Sequence, residues 1–148
     1  MVNNEIYEIY AIKYAHSERR TGDNFIGGDA HDGPMPLDYF VWAITNKKRT
    51  IILDTGFSLD TAKIRGREYL RNPGVGLGMI GIEPSKIKNV IISHMHYDHS
   101  GNEKLFPNAI YHLQDSEMAF CTGRNMCHET INHPFSEDDV VAMVRRVF

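Results

Sequence analysis

The sequence has little cysteine, no surplus of basic charge and no long apolar run, and each shortage removes a class of protein. Cys121 and Cys127 are the two cysteines. Two do not make a disulfide framework, and their spacing is not that of a zinc ribbon, so both are expected as free thiols in a reducing compartment. The formal net charge is −3, which gives no electrostatic reason to expect nucleic acid or an acidic membrane as partner. No stretch approaches the roughly 18 apolar residues of a membrane span. The N-terminal MVNNEIYEIY carries Glu5 and Glu8 where a secretion signal would be basic and then apolar, so no such signal is read and a cytoplasmic protein is expected. Internal repeats, low-complexity tracts and linkers are also lacking. What is present is 148 residues, 42% hydrophobic and 24% charged, enough chain for one domain with a real core.

Alternation and turn residues outline the elements. Residues 5–14, rich in Ile and Tyr, read as a first strand. A long Gly, Asp and Pro loop (16–36) leads to a second strand, LDYFVWAIT (37–45). NKKR makes a hairpin turn, and TIILD (50–54) is a third strand whose unbroken apolar run predicts burial on both faces. SLDTAKIRGREYL (58–70) has Leu59, Ala62, Ile64 and Leu70 at loose helical spacing, with Ser58 as N-cap. A Gly-rich loop follows, then EPSKIK as a short helix with Pro84 in its first turn. NVIIS (89–93) and NAIYHL (108–113) are further strands, and DSEMAF (115–120) starts a helix. The stretch 136–148 forms a last helix, with Ser136 and Asp139 as a capping pair and Arg145 and Arg146 in its final turn. Strands alternating with helices predict an α/β layered domain.

The chemistry concentrates in IISHMHYDHSGN (91–102). His94 and His96 stand two apart, so in extended chain both imidazoles point the same way and reach one cation. Asp98 and His99 follow at once and, where the chain turns, face a second position close by. Imidazole and carboxylate suit zinc, and also manganese, iron or cobalt. A lone histidine would read as surface filler. Four ligand types in six residues after an apolar strand read as a metal loop, since functional groups gather at strand ends.

Other motifs carry less. GLGMIG (76–81) fits the dinucleotide pattern, but lacks the strand before and the helix after that the fold of such sites needs, and reads as a flexible connector; no cofactor loop is expected. RGREYLR (65–71) reads as a solvated helix face. His112 reads as filler within a strand. His128 and His133 lie beside both cysteines without a recognised zinc spacing, and His16 and His31 fall in the long loop.

At SHMHYDHSG the chain resembles the metallo-β-lactamase superfamily, whose motif is H-x-H-x-D-H. IILDTG (51–56) resembles that family's strand ending in Asp-Thr-Gly, and GIEPSKIKNVIISH (81–94) its short helix and strand before the metal loop. YFVWAI and QDSEMAF look most like the N-acyl-homoserine lactonase branch. The resemblance implies the N-terminal half of an αββα sandwich over residues 1–148. It implies His94 and His96 on a first metal, Asp98 and His99 on a second, and Asp54 orienting the metal loop. The family completes its site with two further histidines and a bridging aspartate, and the lactonase branch adds a tyrosine, all in a C-terminal half for which this sequence has no counterpart.

A completed site would carry two divalent ions, zinc foremost, and hydrolyse an ester-type carbonyl of a small-molecule substrate, with Asp98 as the catalytic proton carrier. Acyl-homoserine lactones, and with them quorum quenching, head the substrates the resemblance implies. Thioesters, β-lactams and phosphodiesters stay open. So does a different class of function: an inactive half-domain, or a partner for a separate C-terminal half. Little activity is expected from this chain alone, and its uncovered sheet is expected to self-associate.

Overall fold

The computed structural model describes residues 5–28 and 30–147. Residues 1–4 of the expected signal-free N-terminus, position 29 of the long loop and the last residue of the expected C-terminal helix lie outside the described residues. Six strands make one sheet in the order β4-β1-β2-β3-β5-β6. Strands β1 (Glu8–Ser17), β2 (Leu37–Thr45) and β3 (Thr50–Leu53) form an antiparallel meander. The β2–β3 turn falls at NKKR, where the Asn46 side chain accepts from the backbone N–H groups of Lys48 (2.9 Å) and Arg49 (3.0 Å). β4 (Glu68–Tyr69) is a two-residue edge beside β1. β5 (Asn89–Ile91) and β6 (Ile110–His112) run parallel to β3, so each needs a crossover.

Within the long loop lies the short helix α1 (Thr21–Asn24), tied down by an Arg20–Asp32 ion pair of 2.6 Å. The first crossover runs through α2 (Leu59–Arg65), β4, α3 (Pro73–Met79) and a 3₁₀ turn at Pro84–Lys86. The second holds α4 (Tyr97–Ser100) and a 3₁₀ turn at Glu103–Leu105. After β6 come α5 (Asp115–Cys121), α6 (Glu129–Asn132) and α7 (Glu137–Val147), the last capped by Ser136 Oγ accepting from Asp139 N–H at 3.4 Å.

Three expectations need correction. The helix read over 58–70 starts at its Ser58 cap but stops at Arg65. Gly66, left-handed at φ 63°, ends it, and Arg67 N–H reaches back to the Ala62 carbonyl at 2.8 Å. The exposed Leu59, Ile64 and Leu70 leave Ala62 as its buried contact. The Gly-rich connector is instead helix α3: Asn72 caps it, accepting from Gly74 N–H at 2.8 Å, and Pro73 occupies its first turn. Gly76 lies inside it where any Cβ would overlap Ile12 Cγ2 of β1, so this glycine serves close packing of helix on sheet. Finally, β3 is not buried on both faces; Ile52 is fully buried, while Ile51 and Leu53 are half-buried on the other side.

That difference follows from the covering layer. Helices pack on one face, over Ile12, Tyr14, Tyr39, Val41, Ala43, Ile52 and Val90. The register pairs Ile9 with Ile44, Ala11 with Trp42 and Trp42 with Leu53 on the opposite face. There Ile9 is 65% exposed, and Trp42 and Ile91 are 37% exposed. Only alternate residues of YFVWAI, TIIL and NVII reach the core.

Candidate metal centre

The histidine cluster sits just past the C-terminal end of β5. His94 lies in irregular chain, His96 forms an isolated bridge with Phe135, and Asp98 and His99 lie on the single turn α4. The His94 and His96 ring centroids are 4.4 Å apart. His99 turns back toward them and lies 4.0 Å from His94, centroid to centroid. Asp98 Oδ2 is 3.4 Å from His99 Nε2. The four candidate ligands therefore come together, and Asp98 and His99 are neighbours of the first pair rather than a remote second group.

Asp54 fixes this arrangement. It is 4% exposed, and its carboxylate accepts from Ser93 N–H at 2.7 Å, Ser93 O–H at 2.9 Å and His99 Nδ1 at 2.7 Å. One side chain thus ties both ends of the loop to the end of β3. Its backbone is left-handed, at φ 63°, a conformation that aspartate tolerates better than most residues. Thr55 and Gly56 complete the tie. Thr55 N–H donates to the His99 carbonyl at 2.7 Å, and Gly101 N–H to the Gly56 carbonyl at 2.8 Å. Gly56, also at positive φ, leaves room for Tyr14, whose ring a Cβ would meet at 2.8 Å, while Tyr14 O–H donates to the Asp98 carbonyl at 2.8 Å.

Residues that sequence patterns did not point to finish the frame. Glu117 of α5 accepts from Met95 N–H, between the two histidines, at 2.8 Å. Phe135 stands edge-on to the His96 ring at 4.9 Å. Arg67 Nε donates to Tyr97 O–H at 3.2 Å and its terminal nitrogen to Ser17 Oγ at 3.1 Å, and Arg65 stacks 3.9 Å above the Tyr97 ring. The solvated-face reading of 65–71 is therefore wrong for both arginines: Gly66 breaks the helix, and the chain carries them inward, half-buried, beneath the loop. A signal existed in Gly66, a helix stop between two arginines. His16 bonds Asp38 at 2.6 Å, His112 bonds Asn89 at 3.0 Å, and the His133 backbone carbonyl accepts from Arg65 at 2.8 Å.

Charge states suit ligand chemistry at three of the four donors, and the fourth, His99, must lose a proton before it can bind an ion. Burial first, and then the charge of His99 for His94 and of His94 for His96, push both pKa values down, which favours the neutral rings that a metal needs. Burial also works against a charged His99, but the hydrogen bonds to Asp54 and Asp98 outweigh it and lift its pKa to about 9. Burial raises Asp98, and the His99 contacts more than reverse this, so its pKa is lowered and it stays a carboxylate. In donor type and proximity the set fits divalent ions bound by imidazole and carboxylate. In number it is short: among the described residues no group of three or more His, Cys, Asp or Glu side chains is placed to hold one ion.

A model described as the metallo-beta-lactamase superfamily matches residues 34–113, more than half of the chain. Over 106 residues the chain is 29% identical to the N-acyl homoserine lactonase AttM of Azorhizobium caulinodans, covering 63% of this chain and 40% of that protein. A solved quorum-quenching N-acyl homoserine lactone lactonase superposes with TM-score 0.61 at 17% identity, over 86% of this chain and 53% of that one. A probable metal-dependent hydrolase from Staphylococcus aureus does so with TM-score 0.66 at 17% identity, over 88% and 56%. These superpositions speak for the fold, the α/β architecture expected from the sequence. The chain spans 40% of its curated relative and about half of the solved structures. By its family match, its fold and its motif, this chain belongs to the metallo-beta-lactamase superfamily.

Proposed function

We propose that this chain provides the metal-loop half of a metal-dependent hydrolase that opens the ring of N-acyl-homoserine lactones. The observation that carries the reading is the Asp54-anchored cluster of His94, His96, Asp98 and His99. The lactone class follows from the named activity of the AttM relative, and thioesters, β-lactams and phosphodiesters are its competitors.

His94 and His96 would hold one ion, and Asp98 and His99 a second, zinc being the ion best matched to these donors. When bound, such ions supply Lewis acidity and water activation. The chain's own residues do the rest. Asp54 fixes the His99 Nδ1 proton and so turns Nε2 toward Asp98. Tyr14 and Thr55 hold the α4 backbone. Asp98, kept ionised beside His99, accepts a proton at its carboxylate and passes it to the departing alkoxide of the opened lactone. Two protein donors per ion hold neither ion tightly, so further donors must come from a segment outside this sequence, and the chain alone should turn over little.

The test fuses the C-terminal half of a related lactonase after the last residue and measures acid release from a panel of lactones, thioesters, β-lactams and phosphodiesters at fixed zinc. The fusion should open acyl-homoserine lactones, and Asp98→Asn in it should lose most of the rate. Robust turnover by the unfused chain would refute the incomplete-site argument. A folded, zinc-loaded fusion that ignores lactones and cleaves another panel member would refute the substrate class. The open sheet face favours a second reading, a half-domain that pairs with a separate chain; a fusion inert on the whole panel would favour it.

A further inference from the structure

We propose that Arg65 is a positioning residue for the metal loop, holding the segment 133–135 against it and thereby setting the orientation of the His96 ring. The inference rests on the metal-binding reading above and adds a residue that lies well outside the motif.

Arg65 closes α2 just before the left-handed Gly66, and its guanidinium lies against Tyr97 of α4. There it makes three contacts. It donates to the His133 carbonyl at 2.8 Å and to the Phe135 carbonyl at 3.2 Å. Its plane also covers Tyr97, with Cζ 3.9 Å from the ring centroid. The same segment bonds the loop directly, since Tyr97 N–H donates to the Pro134 carbonyl at 2.8 Å. The clamp thus has two jaws, one on the carbonyls either side of Pro134 and one on the residue that follows His96. Between them Phe135 is carried to the His96 ring, 4.9 Å away at 85°. Among the described residues none hydrogen-bonds the His96 ring, in contrast to His99, which Asp54 holds. Edge-on packing against Phe135 is what selects the His96 rotamer.

Arginine suits this geometry through its planar group. One terminal nitrogen bonds both carbonyls while the guanidinium face lies on the Tyr97 ring; a lysine ammonium can donate to the carbonyls but has no planar face to stack. Residues that orient a ligand from behind alter metal affinity by about 10–100-fold when removed.

The experiment uses the full chain, Co²⁺ as the probe, and histidine-labelled protein for ring NMR. Arg65→Ala and Arg65→Lys are both expected to weaken Co²⁺ binding by about tenfold or more and, without metal, to shift the His96 ring signals while those of His99 stay. Added methylguanidinium should restore Arg65→Ala in part. Phe135→Leu, which keeps both backbone acceptors, should reproduce the His96 shift and guards against a variant of Arg65 that fails to fold. Wild-type affinity and an unmoved His96 signal in Arg65→Lys and Phe135→Leu would overturn the inference. Wild-type chain that binds no Co²⁺ would overturn the metal reading instead, and the metal-free His96 signal would still decide whether Arg65 positions the ring.

Discussion

Replacing Asp54 is the sharpest test of how the loop is held. Its carboxylate is buried and takes three donors. In Asp54→Ala, Ser93 O–H can turn to His94 Nδ1, 3.0 Å away, so it keeps a partner. Ser93 N–H does not, and stranding it costs about 2 kcal/mol, whereas His99 Nδ1–H keeps a longer bond to Ser93 Oγ, 3.3 Å away, and loses about 1 kcal/mol. Alanine at φ 63° adds about 1 kcal/mol of backbone strain. The sum is about 4 kcal/mol, a large part of the roughly 5–15 kcal/mol that holds a domain together. Asp54→Asn keeps one acceptor oxygen and tolerance of the left-handed backbone but turns an NH₂ group toward donors, for about 2 kcal/mol. Asp54→Gly relieves the strain and strands the same donors, so it should fall about 1 kcal/mol short of the alanine loss. Urea unfolding of the metal-free chain, with chelator present, ranks the four proteins. The order Asn, Gly, Ala with the stated gaps is expected. An Asp54→Asn within about 0.5 kcal/mol of wild type, the ordinary effect of a surface change, would show that the three bonds do not hold the loop.

Two further outcomes follow from other parts of the molecule. Burial pushes the Asp139 carboxyl up to about 6, and its Oδ2 is buried without a partner. The folded chain thus binds this proton more tightly than the unfolded one, whose value is about 3.9. The resulting stability is full below about pH 4 and lost as pH rises through 6. Asp139→Asn should therefore stabilise by about 1 kcal/mol at pH 7.5, after solvent screening and the lost helix-terminal charge, and by nothing at pH 4; an equal gain at both pH values in urea unfolding would contradict this. On the open sheet face, Trp42→Glu should shift a self-associated chain toward monomer in sedimentation, whereas a wild-type chain that sediments as a compact monomer would refute association through that face.

The parts that were legible in the sequence are those whose cause is local. Strands β2 and β3 and their turn follow from alternation and from one asparagine side chain. The cluster 94–99 is local too, since six residues carry all four donors. Helix α3 was not legible, because its glycines each cost helix stability in isolation, about 1 kcal/mol against alanine. It forms because Asn72 and Pro73 start it and because Gly76 can lie against Ile12 where nothing larger fits. Burial of β3 was misread for the complementary reason: an apolar run reports that both faces avoid water in some finished assembly, and in this chain the helices cover one of them.

The same division runs through the site. Which atoms could bind a metal is written in the motif, but where they point is set from 54, 65, 117 and 135, four positions spread over four other segments. Asp54 was reachable because its Asp-Thr-Gly turn has a recognisable form. Arg65, Glu117 and Phe135 have none, because a guanidinium under a tyrosine, a carboxylate on a backbone N–H and a ring against a ring are chosen by distance, not by spacing. Changes at these positions would leave the motif untouched while loosening the donors by the ångström or so that matters to catalysis. A sequence can therefore carry the motif and lack a formed centre, and the contacts of Asp54, Arg65, Glu117 and Phe135 are what distinguish the two cases.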